Sequence, residues 1–321
     1  MWFFNLKDSL AAFAPSGYDS HVTSRVINVA SVPHRSPFRY PGGKTWLVPY
    51  VRQWLKSVQH RPLEFAEPFA GGGIVGLSVL FDGLAEKLTL VEIDRDIASV
   101  WKTIISIQGE RLASAIMSYT LSDEAVRACL SSSPKNQFDR AFQTILRNRV
   151  QRGGIMAPGA SLMKQGENGR GLASRWYPET LARRILSIYE NRHRIRFRHE
   201  DGIQFLSDNA DRSEMAFFID PPYTIAGRRL YTHSQIDHEK LFRETSKING
   251  NFLMTYDNAK PVRELAARFG FDTHKIPMKN THHEIMSELL IGRDLGWARK
   301  PLKLGHDALF EDLQAPGYAS R

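Results

Sequence analysis

The tetrapeptide Asp220-Pro221-Pro222-Tyr223 is the strongest chemical motif of this 321-residue sequence. It follows an uninterrupted apolar run, Met215 to Ile219, which predicts a buried strand. Each proline lacks an N–H and pushes the preceding residue toward extended geometry, so the Asp220 carboxylate and the proline carbonyls point outward from the strand end. Two acceptors beside the Tyr223 ring suit an exocyclic amine on a planar base. We predict these four residues as the catalytic set.

A glycine turn between a strand and a helix is predicted in the segment Glu67-Pro68-Phe69-Ala70-Gly71-Gly72-Gly73. Its glycines, with Gly76, satisfy the spacing G-x-G-x-x-G, and Glu92 ends the next predicted strand about twenty residues later. Such a turn lets a nucleoside approach the backbone, while the acid accepts hydrogen bonds from ribose hydroxyls. The pattern indicates an adenosine-containing cofactor, either a dinucleotide or S-adenosylmethionine.

A third motif, from Arg39 to Thr45, contains Tyr-Pro-Gly-Gly-Lys. Gly43-Lys44-Thr45 is similar to the end of a P-loop, but Phe38 stands where a P-loop has its first glycine. Phosphate cradling is therefore disfavoured. A glycine pair followed by Lys44 still predicts a clamp for a carboxylate or another anion.

In order and spacing, these pieces resemble the Dam-like class of DNA adenine amino-methyltransferases. The matching segments are Tyr40 to Lys44, Glu67 to Gly73, Val91 to Asp94, and Asp220 to Tyr223, within residues 36–293. The resemblance implies methyl transfer from S-adenosyl-L-methionine to the N6 amine of an adenine flipped out of double-stranded DNA. The tetrapeptide also suits cytosine N4 or an amine of an RNA base, and a catalytically silent DNA-binding relative would keep the same fold.

The resemblance also implies roles for individual residues. Tyr40 and Lys44 would contact the methionine end of the cofactor, Glu92 its ribose, and Asp220 the junction of cofactor and base. Asp201 resembles the family's acid near the cofactor adenine, whereas Glu92 departs from the Asp that the family usually has. The predicted cofactor-binding residues are Tyr40, Gly42, Gly43, Lys44, Glu67, Phe69, Gly71, Gly73, Glu92, Ile93, Asp201 and Asp220.

Strand and helix patterns alternate on both sides of a long helical stretch. This alternation predicts an α/β fold with a doubly wound, mostly parallel sheet, and the resemblance implies the S-adenosylmethionine-dependent methyltransferase type. Predicted strands are Leu63–Phe65, Leu88–Ile93, Arg194–Arg198, Met215–Ile219, Phe252–Thr255 and Glu288–Ile291. Predicted helical stretches are Thr45–Ser57, Gly73–Leu80, Ile97–Ile107, Leu112–Leu130, Phe138–Arg149, Pro178–Tyr189, Asp237–Ser246 and Pro261–Phe269.

The same patterns divide the chain into four parts. Residues 1–35 are predicted to be an N-terminal extension with a short amphipathic helix from Phe3 to Phe13, and residues 297–321 are predicted to be a tail. A catalytic domain comprises residues 36–111 and 195–296. Between its halves, residues 112–194 are predicted to be an inserted helical domain, because crossovers between parallel strands are usually much shorter. The resemblance implies that this inserted domain recognises the DNA target.

The positive charge is concentrated near this insertion. The net charge is +9, and the segment from Arg140 to Arg198 holds 13 Lys or Arg and three Asp or Glu. Aromatic side chains and glycines lie between these arginines, which suits contact with DNA phosphates and bases. Arg commonly pairs with guanine, and Asn or Gln with adenine. The predicted DNA-binding residues are Arg147, Asn148, Arg149, Gln151, Arg152, Lys164 and Arg175.

Composition excludes several other classes of protein. Hydrophobic residues make up 42% and charged residues 24%, which is typical of folded globular proteins. No apolar run is long enough to span a membrane, no signal peptide is expected, and the single Cys129 excludes an internal disulfide and Cys-based metal sites. The histidines, including His233, His238, His282 and His283, lack metal spacing. We expect a cytoplasmic protein without metal or membrane contact.

Two further expectations concern function. A nicotinamide-dependent dehydrogenase would use the same glycine turn but has no need for the Asp-Pro-Pro-Tyr motif. The resemblance is compatible with a cognate restriction endonuclease as a functional partner.

Overall fold

The computed structural model describes residues 32–39, 43–154, 161–166, 169–222, 236–279 and 285–302. Tyr40, Gly42 and Tyr223, the helix predicted from Phe3 to Phe13, and most of the tail lie outside these ranges. The same holds for His233, His282 and His283.

Within the described residues, seven strands form one sheet in the order β3-β2-β1-β4-β5-β7-β6. The first five strands in this order are parallel, and β7 is antiparallel to both of its neighbours, β5 and β6. The α/β class and the doubly wound, mostly parallel sheet are thus confirmed. The strands are β1 Glu64–Glu67, β2 Lys87–Val91, β3 Ile195–Arg198, β4 Met215–Ile219, β5 Asn251–Asp257, β6 Asp272–Lys279 and β7 Ile285–Gly292.

Helices cover both faces of the sheet, as parallel strands require. The described helices are α1 Val48–Ser57, α2 Ile74–Phe81, α3 Arg95–Ile104, α4 Gly109–Ser118, α5 Asp123–Ser131, α6 Gln137–Val150, α7 Pro178–Glu190, α8 Gly202–Asp208, α9 His238–Ser246 and α10 Lys260–Arg268. Helices α1 to α7 contribute to the core on one face, with Phe65 and Phe218 from the sheet. Helices α8 to α10 pack on the other face, against Phe217 and Ile219. Adjacent strand residues point to opposite faces, so one strand supplies both cores.

Three elements differ from the sequence prediction. The helical pattern from Leu112 to Leu130 forms two helices, because Ser122 caps α5 by accepting a hydrogen bond from the Ala125 N–H (3.0 Å). Strand β6 was not predicted, since its polar sequence contains Pro277; as an edge strand, β6 tolerates a residue that lacks a backbone donor. The short helix α8 also had no predicted counterpart.

The segment 112–194 shares the core of the sheet. Leu112, Ile145 and Ile185 belong to the same buried cluster as Phe65 of β1. Helix α6 is also tied to α3, because Arg140 and Arg147 each donate to one carboxylate oxygen of Asp96, at 2.8 and 2.9 Å. The segment therefore packs directly on the layer that carries the glycine turn.

None of the helices in the described ranges has the length and apolar character needed to cross a membrane.

Candidate active site

The predicted catalytic and cofactor motifs converge where the sheet changes direction. Chain order runs from β1 outward to β3 on one side and from β4 outward to β5 on the other. Open α/β sheets bind ligands at such a switch point, outside the carboxyl ends of the strands. Here β1 ends at Glu67 and β4 at Ile219, immediately before Asp220. The Asp-Pro-Pro segment and the glycine turn thus follow two neighbouring strands.

The glycine turn has a shape that side chains would obstruct. Gly71 and Gly73 have positive φ angles of 45° and 61°, a region that favours glycine. A Cβ on Gly73 would lie 2.9 Å from the Trp101 ring, and one on Gly76 would lie 2.6 Å from Leu88. Helix α2 consequently packs tightly against β1 and β2 behind the turn.

Glu92 connects the glycine turn to the end of β2. Its Oε2 accepts the Gly71 N–H (2.9 Å), and its Oε1 accepts the Asp94 N–H (2.9 Å). Burial raises the pKa of Glu92 to about 7, although these two backbone donors oppose the shift. Ile93 follows as an exposed apolar side chain. A carboxylate held by the turn beside an exposed apolar residue fits a ribose and its base.

The end of β3 completes this side of the site. Asp201 caps α8 by accepting the Gln204 N–H (2.9 Å). At Gly202, a Cβ would lie 2.4 Å from the Pro68 carbonyl oxygen and 2.8 Å from the Phe69 ring. Asp201 is therefore adjacent to the loop after β1.

Asp220 is held by two side chains that leave it partly accessible. Its Oδ1 accepts the Thr255 hydroxyl (2.8 Å), and its Oδ2 lies 2.9 Å from Lys44 Nζ. The Asp220 side chain is 20% exposed, whereas that of Lys44 is only 7% exposed. Lys44 Nζ also lies 3.3 Å from Glu288 Oε1. Lys44 thus contacts the candidate catalytic acid directly, which adds to the contact with the cofactor that the resemblance implies.

A second buried acid, Glu67, faces the same cluster. Its Oε2 accepts the Gly76 N–H (2.8 Å). Burial raises the pKa of Glu67 to about 8, the Asp220 charge adds to the rise, and the Gly76 N–H and Lys44 oppose it. Glu67 therefore supports the turn from inside while remaining electrostatically coupled to Asp220.

The comparisons with known proteins agree with this arrangement. A model of the family described as D12 class N6 adenine-specific DNA methyltransferase matches residues 40–281, which include the three motifs. The chain belongs to this family. Membership and the fold imply a methyltransferase that uses S-adenosyl-L-methionine.

Solved structures similar to this D12 family member are distant from it. A proposed RNA methyltransferase from Pyrococcus horikoshii is 13% identical, with a TM-score of 0.36 over 79% of this chain and 84% of that chain. A methyltransferase from Geobacter sulfurreducens is 12% identical, with a TM-score of 0.37 over 79% and 80% of the two chains. No curated protein matches the chain significantly. The fold assignment rests on the strand order itself.

Sequence reasoning missed Thr255 and Glu288 as site residues. Each is a polar residue within an otherwise apolar part of a strand. Both lie toward the end of the sheet that carries Asp220 and the glycine turn. Glu288 is the register partner of Asp257, so the antiparallel β7 brings its own beginning to the carboxyl end of β5. A polar residue in a predicted core strand was the available signal.

The predicted DNA-binding residues differ in their exposure to solvent. Arg152 and Lys164 are exposed, and Gln151 and Arg175 are partly buried. Arg147 contacts Asp96 within the protein, as described above. Asn148 and Arg149 are buried.

Asn148 fastens the segment that leads into the Lys44 motif. Its Oδ1 accepts the Arg39 N–H (2.9 Å), and its Nδ2 donates to the carbonyls of Arg39 (2.7 Å) and Gly154 (3.1 Å). These bonds occupy the amide edge that would read a base, so the geometry favours a structural role for Asn148.

Arg149 reinforces the same attachment. It donates to the Pro37 carbonyl, and Arg184 donates to the neighbouring Ser36 carbonyl (3.2 Å). Burial lowers the pKa of Arg149 to about 9, and the charges of Arg184, Arg39 and Arg175 lower it further. The geometry therefore favours a structural role for Arg149 as well. The three neighbouring arginines make the electrostatic potential around it positive.

Among the described residues, no group of three or more His, Cys, Asp or Glu side chains is arranged to hold a metal ion.

Proposed function

We propose that this protein transfers a methyl group from S-adenosyl-L-methionine to the N6 amine of an adenine that is rotated out of double-stranded DNA. The observation that carries the proposal is the position of Asp220. It lies partly exposed at the switch point, beside the glycine turn and held by Lys44 and Thr255.

Asp220 would act on the target amine as a hydrogen-bond acceptor. An aromatic amine is a weak nucleophile because its lone pair is delocalised into the ring. Hydrogen bonds from the amine to the Asp220 carboxylate and to the Pro221 carbonyl favour a pyramidal nitrogen and stabilise its developing positive charge. Tyr223, outside the described residues, is proposed to stack on the base. The amine proton would leave through Asp220 or a water molecule.

The residues around the glycine turn fit the methyl donor. Glu92, bonded to the glycine turn, is proposed to accept hydrogen bonds from the ribose hydroxyls, and the exposed Ile93 and the partly buried Phe69 are proposed to flank the adenine. Asp201 is proposed to contact the adenine amine. When bound, the donor supplies an activated methyl group on a sulfonium. The protein's contribution is mainly to align donor and amine, which is worth about 7–11 kcal/mol when the geometry is good.

Duplex DNA is the proposed substrate because of family membership and charge. The D12 family is defined by adenine-specific DNA methylation. The basic segment from Arg140 to Arg198 would contact phosphates and offset the few kcal/mol needed to unpair and rotate the base. We propose residues 112–194, with the exposed Arg152 and Lys164, as the part of the chain that faces DNA.

Isotope transfer tests this function directly. The purified chain is incubated with methyl-labelled S-adenosyl-L-methionine and, separately, mixed-sequence duplex DNA or RNA, and the products are digested to nucleosides. The expected product is labelled N6-methyldeoxyadenosine, formed from DNA and not from RNA. Label in N4-methylcytosine or in RNA nucleosides would show instead that the substrate is cytosine in DNA or a base in RNA. DNA and cofactor binding without any transfer would indicate a catalytically silent relative.

A further inference from the structure

Glu288 is a buried carboxylate in a strand that is otherwise built for the core. Its side chain is 3% exposed, and Leu289, Leu290 and Ile291 follow it as buried residues. Burying a carboxylate is unfavourable unless it is paired, and an apolar residue of similar volume usually stabilises a core at least as well. The residue is therefore poorly explained by stability alone.

In the described part of the chain, Lys44 is the only cation paired with Glu288. Lys44 Nζ lies between two carboxylates, 3.3 Å from Glu288 Oε1 and 2.9 Å from Asp220 Oδ2. On the far side of Asp220, Oδ1 accepts the Thr255 hydroxyl at 2.8 Å. The four side chains thus form a continuous row, Thr255–Asp220–Lys44–Glu288.

The row joins four separate elements at the switch point. Lys44 comes from the turn before α1, Asp220 from the end of β4, Thr255 from β5 and Glu288 from β7. Lys44 has a long, flexible side chain whose direction its partners determine. A carboxylate fixed to a core strand on the other side of Lys44 therefore helps to hold the ammonium beside Asp220.

We propose that Glu288 is a positioning residue for methyl transfer: through Lys44, it holds the Asp220 carboxylate in the orientation that receives the target amine. This inference rests on the proposed function, because it assigns a partner to the proposed catalytic acid. Only the ionised form of Glu288 pairs with Lys44, so the positioning requires its negative charge and not merely its volume.

The charge requirement has a consequence for pH dependence. Burial raises the pKa of Glu288 to about 7; Lys44 opposes this shift and Asp220 adds to it. Glu288 is thus protonated below about pH 7 and ionised above it, so the transfer rate should rise through this range. Among the described residues, the neighbouring charged groups are Asp257, its register partner on β5, and Glu67, which lies beyond Asp220. The register partner of Glu288 on β6 is the uncharged Ile276.

The test compares three proteins in single-turnover methyl transfer from pH 6 to pH 9 at saturating cofactor and DNA. They are the unmodified chain, Glu288→Gln, which keeps the shape without the charge, and Glu288→Asp, which keeps the charge. Glu264→Gln, an exposed carboxylate on α10, is the matched control. For Glu288→Gln we expect a rate loss on the order of 10²-fold at pH 8, with the cofactor KM changed by less than about threefold, and no inflection near pH 7.

Glu288→Asp should recover part of the rate and keep an inflection. Glu67→Gln and Glu92→Gln, which remove the two other described acids whose pKa burial raises into this range, should each leave the inflection near pH 7 in place. A Glu288→Gln protein with the unmodified rate, or a slow one that retains the same inflection, would overturn the inference. If Glu288→Gln does not fold, as judged by thermal unfolding, the pH profiles of the unmodified chain and of Glu288→Asp decide instead. Absence of transfer by the unmodified chain would refute the proposed function, which is a separate result.

Discussion

At the scale of the residue, Asp220 is the proposed acceptor for the target amine. It is held on both oxygens yet remains partly exposed at the switch point. Asp220→Ala should lower the transfer rate by on the order of 10²–10³-fold, because the acceptor for the amine is lost. DNA affinity should change little, since the basic segment lies elsewhere. Single-turnover kinetics and a DNA-binding titration check both parts.

Asp211→Ala is the matched control for this substitution, because Asp211 is exposed in the turn before β4. Its transfer rate should equal that of the unmodified chain. Full activity of Asp220→Ala would refute the mechanism.

Glu67 should make the stability of the protein depend on pH. Its pKa is raised from 4.5 to about 8 by burial, so between these values the folded chain keeps a proton that the unfolded chain has lost. Stability therefore falls as pH rises through this window. Glu67→Gln keeps an acceptor for the Gly76 N–H and removes the ionisation. Relative to that of the unmodified chain, the free energy of unfolding of Glu67→Gln should rise by up to about 1.4 kcal/mol for each pH unit toward pH 8.

Urea unfolding at pH 5, 6.5 and 8 measures this gain. Glu92 and Glu288, whose pKa values burial also raises, are present in both proteins, so their effects cancel in the difference. A difference that does not change with pH would contradict the raised pKa. Glu264→Gln, an exposed acid on α10, should show no such trend.

At the scale of the element, the end of α6 serves as an anchor for the segment that carries Lys44. Asn148 makes three hydrogen bonds to the backbone of Arg39 and Gly154 from a fully buried position. Asn148→Ala leaves these backbone groups without partners, so the free energy of unfolding should fall by about 1–3 kcal/mol. The cofactor KM should rise, because the Lys44 segment loses its support.

Chemical denaturation and cofactor titration of Asn148→Ala test this role. Asn249→Ala, at an exposed site, should change stability by less than about 0.5 kcal/mol. An Asn148→Ala protein with unchanged stability and cofactor KM but reduced DNA specificity would restore the prediction that Asn148 reads bases.

At the scale of the whole molecule, the excess positive charge should govern DNA affinity. Arg152 and Lys164 are exposed and belong to the basic segment. Replacing both with Gln should weaken binding and reduce the slope of log K against log salt by about 2, one unit for each lost phosphate contact. Lys240 and Lys260 are exposed on α9 and α10, the helices that pack on the opposite face of the sheet, and their double Gln variant is the control. Equal slopes for the two double variants would assign the DNA contacts elsewhere.

Much of the fold and part of the site could be predicted from sequence, because both depend on local patterns. Apolar runs such as Met215 to Ile219 mark buried strands, and the polar motifs directly after β1 and β4 must lie at the carboxyl edge of a parallel sheet. The edge strand β6 was not predicted. Because it has a neighbouring strand on one side only, it tolerates a polar sequence with a proline, which has no backbone N–H to donate.

By itself, the sequence determined the α/β class, the glycine turn and the acidic corner at Asp220, because turn chemistry and strand ends are encoded in neighbouring residues. Only the tertiary structure decided that Lys44 lies between Asp220 and Glu288, and that Asn148 and Arg149 face the interior. Residue type and spacing specify what a side chain can bind. Which partner it meets, and whether water or DNA can reach it, depends on residues up to about 244 positions away that packing brings into contact.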